Sequence, residues 1–418
     1  MSLELPVLRH GSAYASLDTR ALCDPRSGET LATIGQANPA LVARDLRRWP
    51  TVLAPLAEER ACLLRQVAAR LADSPSDDHQ ETRLHIGATT GLTGVQVEAQ
   101  IARLAMSLQE LAGLVPHCAE PRPPVAFVLP SNAPGVHTAW LAALALGHPV
   151  ALKPGALEPW TPYWLARLLA EEGLPPAFLG IYPGDHDVAA AALEAAPYGV
   201  LFGDASTVAR YESEPTIDVR GPGRSKAYVT SAAWEDPTVL QGLAEGVSAF
   251  GGRSCLNTST IVLVDGTAEE VRALTSALNE ALRGVPDDEL AAWPGAGAAE
   301  AIASGLRQLS DGQIAPLIVR RTDGLEALRP LASAAEDPMS PWAQTEAPFP
   351  WVAVTAVASA DLTTWTGPTL AASVLGADRV GRLLQEAGAV LRVVPDGGPT
   401  TGATDVRFHL DSLRRLTA

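Results

Sequence analysis

The sequence is poor in cysteine and in positive charge, and it has no long unbroken apolar run. Its four cysteines, Cys23, Cys62, Cys118 and Cys255, are scattered over 418 residues with no CxxC pair and no Cys/His cluster. That spacing excludes a zinc site and a disulfide framework. Lys and Arg number 31 against 47 Asp and Glu, a formal net charge of -16, which disfavours general attraction to nucleic acid or to an anionic membrane. The longest apolar stretch, "TAWLAALALGHPVAL", is interrupted by His148 and Pro149 and reads as too short to span a bilayer. The opening "MSLELPVLRHGS" lacks the charged start and apolar core of a signal peptide. A cytoplasmic protein with reduced thiols is expected, with no metal, nucleic acid or membrane partner. No GxGxxG follows the first strand-like run, so an ordinary dinucleotide fingerprint is absent. No internal repeat recurs at a fixed period.

What is there reads as an α/β protein. The length exceeds what one hydrophobic core usually supports. Residues 1 to about 50 hold few periodic patterns. "LAEERACLLRQVAARLAD" and "GVQVEAQIARLAMSLQELAGLV" carry apolar residues at helical spacing, with the polar "SPSDDHQETR" read as a break between them. From Val125 short apolar runs alternate with helices: "VAFVLP", "GVHTAWLAALALG", "PVALKPG", "PYWLARLLAEEG", "AFLGIYPG", "VAAAALEAA", "YGVLFGD". Strands of about five residues separated by helices of about ten indicate βαβ units and a parallel sheet. Ligands bind beyond the C-terminal strand ends of such sheets, which singles out "LPSNAPG", "LKPG", "YPGD" and "LFGDAS". A second α/β layer follows, with strands at "TIVLV", "IAPLIVRR" and "WVAVTAVA" and an irregular-looking "AAWPGAGAAEAIASG" between. The expected domains are 1–230 for the N-terminal helices and a Rossmann-like sheet, 231–395 for a second α/β unit carrying the cysteine loop, and a C-terminal segment 396–418 that returns to the first domain or serves an interface.

Four residues stand out chemically. Cys255, in "AFGGRSCLNTSTIVLV", is either a small buried hydrophobe or a nucleophile presented from a loop, with Arg253 placed to lower its pKa. Asn132, in "LPSNAPG", is either a turn residue or a neutral donor for an oxyanion. Lys153 ends a strand, where an ammonium suits ribose hydroxyls or phosphate, or simply meets solvent. Glu346, in "TEAPFPW", reads locally as a surface carboxylate.

These pieces, in this order, resemble the aldehyde dehydrogenase superfamily, and within it the acyl-thioester reductase branch related to the fatty acyl-CoA reductase of bacterial bioluminescence. The resemblance runs from about Thr89 to Arg392 and rests on "LPSNAPG", "GHPVALKPG", "EEGLPPAFLGIYPGD", "LFGDASTVARY", "GPGRSKAYV" and "FGGRSCLNTSTIVLV". It implies an aldehyde dehydrogenase-like fold: a Rossmann-type cofactor domain plus a second α/β catalytic domain. It also implies that Cys255 attacks an acyl carbonyl, that Asn132 and the Cys255 N–H stabilise the oxyanion, and that a nicotinamide cofactor exchanges hydride with the resulting carbon. Lys153 would contact the adenine ribose, Gly203 and Ser206 of "FGDAS" would cover the cofactor near its diphosphate, and Glu346 would hold the nicotinamide ribose. "EAPFP" has one residue more between Glu and Phe than the family's pattern.

Departures from the family suggest a direction. Where hydrolytic members carry the glutamate that activates water, aligning "RGPGRSK" puts Arg220, which is always protonated and cannot be that base. Reduction of an acyl thioester to an aldehyde is therefore expected, with NAD(P)-dependent aldehyde oxidation to acid or thioester as the alternative and a non-catalytic nucleotide- or partner-binding homologue as a third reading. Ala156 stands where NAD-preferring members place a glutamate, so NADPH is expected ahead of NADH. The donor would be acyl-CoA or an acyl-carrier protein, docked on a patch of Arg220, Arg224 and Lys226. "HCAEPRPP" and the C-terminal "TDVRFHLDSLRRLTA" leave little room for the family's oligomerisation hairpin and arm, so a monomer or homodimer is expected.

Overall fold

The computed structural model describes residues 3–73, 77–118, 120–131, 134–376, 378–386, 390–394, 399–400 and 406–417. The chain divides into two compact units, residues 1–220 with 405–418, and residues 221–404.

Among the described residues the first unit holds a seven-stranded sheet in the order Ile217–Arg220, Tyr198–Phe202, Val125–Val128, Val150–Lys153, Leu179–Ile181, Val7–Arg9, Ser12–Tyr14. Its first five strands run parallel, and its last two join antiparallel. In chain order the parallel set reads fifth, fourth, first, second, third. The order therefore reverses beside Val125–Val128, the switch point at which sheets of this type bind ligands. Strand Val125–Val128 and helix Thr138–Ala145 are buried at every residue. Near-continuous apolar runs are what a sheet covered on both faces requires.

The region without periodic pattern contains five short strands, two of which extend the main sheet. The other three, Leu3–Leu5, Thr30–Gly35 and Thr19–Cys23, form a small sheet in that order. Their many exposed positions hid them, because an edge strand carries little apolar alternation. The expected polar break is also corrected: Asp77–Thr90 is a helix. Beside the buried Ile86 and Ala88 its anchors are polar and aromatic contacts. His79 meets Trp164 edge-on and His85 stacks on Trp160, Arg83 pairs with Glu98 at 2.8 Å, and Thr89 donates to the Leu157 carbonyl at 2.6 Å.

The second unit holds, among the described residues, a six-stranded parallel sheet ordered Leu331–Ala334, Trp351–Val357, Thr258–Val264, Ser225–Val229, Thr369–Leu375, Val390–Val393. Helices Pro237–Ser248 and Ala268–Leu282 cover one face through Leu243, Val247, Val271, Leu274 and Leu278. Trp342, Phe349 and the Ala298–Leu309 helix pack on the other. The irregular-looking alanine and glycine stretch thus supplies that helix. Ile318–Arg320 leaves the main sheet for a small antiparallel one with Glu326–Leu328 and Ala292–Trp293. The boundary lies at 220 rather than 230, because Ser225–Val229 takes its ladder partners from the second sheet. Helix Val406–Leu416 groups with the first unit.

Candidate active site

Cys255 lies in the turn before strand Thr258–Val264, at the N-terminal edge of the second sheet. Three consecutive left-handed residues, Phe250, Gly251 and Gly252, with φ of 54°, 69° and 68°, bring the chain there from helix Pro237–Ser248. At Gly252 a Cβ would run into Pro350, so no other residue fits without moving backbone. The turn is then tied by side chains. Asn257, 7% exposed, donates through Nδ2 to the carbonyls of Gly246, Val247 and Ala249 at 2.8–3.2 Å, and its Oδ1 accepts from the Ser254 N–H at 2.9 Å. It satisfies the carbonyls that end the helix and locks the cysteine turn to them. Asn257→Ala is expected to cost about 2–4 kcal/mol through unsatisfied buried carbonyls, with kcat falling further than substrate KM rises; urea unfolding and steady-state rates check it.

Cys255 is partly exposed and packs beside Leu256, Ala371 and Val394. Its carbonyl accepts from Ser225 Oγ at 2.9 Å, and Gly223 lies so close to that carbonyl that a Cβ would overlap it. Glu346 completes this wall. Its Oε2 accepts from the Arg224 N–H at 2.8 Å, and the Gly223 N–H also bonds to its carboxylate; burial holds the carboxyl above its ordinary range despite both donors and the charges of Arg224 and Lys226. Glu346 is therefore a partly buried carboxylate tied to the Gly223–Arg224 turn that packs against the Cys255 carbonyl.

Three charges behave differently from their sequence reading. Arg253 stacks 4.0 Å over the Trp293 ring and donates to the Ala292 carbonyl; burial pushes it down to about 9, and it braces the small sheet. Lys226 is fully buried, its Nζ donating to the Arg224 carbonyl at 3.1 Å and to Thr369 Oγ1 at 2.8 Å. Arg220 is bound to Asp218 at 2.7 Å and to His409 Nδ1 at 2.7 Å, between Phe202 and Phe408. Of the three residues expected to dock a donor, Lys226 is thus buried and Arg220 is paired.

In the first unit, Lys153 and Gly203 lie at the C-terminal edge of the sheet, in register with Val128 and beyond Phe202. Gly155 allows the "LKPG" turn to approach Pro130, where a Cβ would clash. Ser131 Oγ accepts from the Leu157 N–H at 3.1 Å, and Gln100 Oε1 accepts from the Gly135 N–H at 3.2 Å. Asn132 lies outside the described residues. Burial, then Arg20, lower the Lys153 pKa, while Asp185 opposes them. Two cations held at one strand end suit an anionic ligand, which fits a nucleotide. Ser206 donates instead to Asp204 Oδ1 at 2.9 Å, and Asp204 also caps Thr207 N–H at 2.8 Å. A carboxylate at that helix start opposes a diphosphate at the same point.

Among the described residues no group of three or more His, Cys, Asp or Glu could hold a metal ion, and no helix is long and apolar enough to cross a membrane.

A sheet with a nucleotide-type switch point and, in the same chain, a parallel sheet bearing a tied cysteine turn define a two-unit α/β class of protein. The chain belongs to the aldehyde dehydrogenase family, whose model matches residues 14–301. It is similar to the vanillin dehydrogenase of Amycolatopsis sp., 31% identical over 222 residues, 45% of this chain and 43% of that protein. It is also similar to malonate-semialdehyde dehydrogenase 1 of Geobacillus kaustophilus, 27% identical over 169 residues, 38% of this chain and 34% of that protein. The chain thus spans less than half the length of these curated relatives. Among solved structures, the indole-3-acetaldehyde dehydrogenase of P. syringae with NAD+ and IAA superposes with a TM-score of 0.78 at 19% identity, covering 96% of this chain and 90% of that one. The 1-pyrroline-5-carboxylate dehydrogenase of Thermus thermophilus gives 0.75 at 16%, covering 100% and 92%. These likenesses establish the aldehyde dehydrogenase-like fold. A pyridine nucleotide is the cofactor expected for the family.

Proposed function

We propose that the chain is an NAD(P)-dependent aldehyde dehydrogenase acting through Cys255, and that its acyl-enzyme is released to a thiol more readily than to water. The presentation of Cys255 on a doubly tied turn carries the reading. A thiolate there attacks the aldehyde carbon, the carbonyl π pair moves onto oxygen, and the Cys255 N–H is the donor proposed for that oxyanion, a role the family resemblance also gives to Asn132. A nicotinamide dinucleotide, when bound, would supply the hydride acceptor. Cys255 would then retain the acyl group as a thioester. The family's two named relatives, both aldehyde dehydrogenases, support oxidation over the reductive direction expected from sequence.

Product release is where this chain's own residues matter. Arg220, aligned with the water-activating glutamate, is committed to Asp218 and His409. Glu346 is the nearby carboxylate with a raised pKa, and its carboxylate accepts from the Arg224 and Gly223 N–H groups. Water is therefore poorly activated, and an incoming thiol, nucleophilic without a strong base, takes the acyl group. Reduction of an acyl thioester by NADPH, the second reading, passes through the same acyl-cysteine and is favoured by the same arginine.

The test is a panel of aldehydes with NAD+ or NADP+, with and without coenzyme A, quantifying acid and acyl-CoA. A rise in turnover of about tenfold or more on adding the thiol, with acyl-CoA as main product, is expected. Acid formed at an unchanged rate refutes the thiol preference. Silence with every aldehyde, alongside aldehyde formation from acyl thioesters and NADPH, transfers the assignment to the second reading.

A further inference from the structure

The small N-terminal sheet places one more cation at the nucleotide edge. Arg20, in strand Thr19–Cys23, is exposed and lies 136 residues before the carbonyl it grips: its Nη2 donates to Ala156 O at 2.8 Å. Ala156 sits three residues beyond Lys153, and the two side chains are near enough for Arg20 to depress the lysine's pKa. In register, Arg20 pairs with Ile34 across the hairpin, so the strand fixes where the guanidinium arrives.

The sheet order makes that location specific. Val150–Lys153 is the second parallel strand in chain order, next after the switch-point strand Val125–Val128, and in doubly wound sheets the group at the end of the second strand reads the adenine ribose. A carboxylate there binds the 2′-hydroxyl, whereas an arginine accommodates a 2′-phosphate. Here the acids of the neighbourhood are engaged. Glu158 is fully buried against His137 and Thr161, and Asp185 caps its own helix by accepting from Asp187 N–H and Val188 N–H. The Ala156 bond uses one of the five guanidinium N–H donors of Arg20, leaving a planar fork suited to phosphate.

We infer that Arg20 and Lys153 form a clamp for the 2′-phosphate of NADP(H), with Arg20 the residue that sets the preference over NAD(H). This rests on the pyridine-nucleotide reading above. Lys153 carries charge common to both nucleotides, and Arg20 meets only the one with the extra phosphate.

The experiment is binding, independent of turnover: calorimetric titration of the full chain and of Arg20→Ala and Arg20→Lys with NADP+, NAD+, 2′,5′-ADP and 5′-AMP. The native chain is expected to bind NADP+ and 2′,5′-ADP more tightly than NAD+ and 5′-AMP. Arg20→Ala should weaken the two 2′-phosphate ligands by about 10- to 100-fold, the size of a lost charge-assisted contact, and leave the other two within about twofold. Arg20→Lys should recover part of the loss, since it restores charge without the fork. Arg20 is exposed, and an unchanged circular dichroism spectrum of the variants separates a lost contact from lost structure. Equal weakening of all four ligands, or of none, overturns the inference while the aldehyde dehydrogenase reading stands. Failure of the native chain to bind either dinucleotide overturns both.

Discussion

Cys255→Ala is expected to lower kcat/KM for aldehyde oxidation on the order of 10⁴-fold or more, because the covalent route ends with its nucleophile. Binding of NADP+ should stay within about twofold, since the dinucleotide clamp belongs to the other unit. Stability should change little: the side chain is partly exposed, packs on Leu256, Ala371 and Val394, and loses a single sulfur atom. About 1 kcal/mol is the scale for so small a deletion. Cys255→Ser keeps the size and most of the packing but not the nucleophilicity, and should be nearly as inactive. Retained turnover in both variants would remove Cys255 from the chemistry and assign the reaction to another group.

The second large effect concerns pH and stability. Burial, reinforced by Arg224 and partly offset by Glu346, pushes Lys226 down to about 7 from 10.5. The folded state therefore holds fewer protons on this residue than the unfolded state between those two values. Wild-type stability gains from this group as pH rises from about 7 to 10.5, and at lower pH folding must bury a charge. At 1.36 kcal/mol per pH unit the full cost is roughly 5 kcal/mol. Lys226→Met removes the titration. Its stability relative to wild type should be greatest at and below about pH 7 and decline by about 3 kcal/mol by pH 9. The lost bonds to the Arg224 carbonyl and Thr369 are a pH-independent offset that cancels in this difference. Urea midpoints for both proteins at pH 6 and pH 9 measure it. Parallel pH profiles would show that Lys226 stays charged inside the sheet.

Much of the architecture was legible where burial is two-sided. "VAFV", "VALK" and "YGVLF" are short apolar runs bounded by turn residues, and the described strands fall on them because parallel strands hide both faces. Legibility failed where partners are polar or distant. "DDHQETRLHIGATT" offers no apolar stripe, yet ring contacts and threonine bonds hold it as a helix. Lys226 sits in "SKAYV", where sequence reads a charge as outward facing, but every residue of that strand is buried. At the site, the cysteine and its turn could be read from the family resemblance. Asn257 could not, since a single amide two residues after a thiol says nothing of the three helix-end carbonyls to which it donates. Arg20 was invisible for the same reason: its partner is 136 residues away.

Helix Val406–Leu416 bears on how the chain is made. Ser412 donates to Asp218 at 2.6 Å and His409 meets Arg220, so the first unit takes its last element from the far side of residues 221–404. On the ribosome the unit begun first is completed last. Until the whole intervening unit has been synthesised, Asp218 and Arg220 lack the Ser412 and His409 partners that this helix brings. Nascent chains halted before residue 406 should therefore carry a folded second unit beside an unfinished first one, the reverse of the order in which translation supplied them.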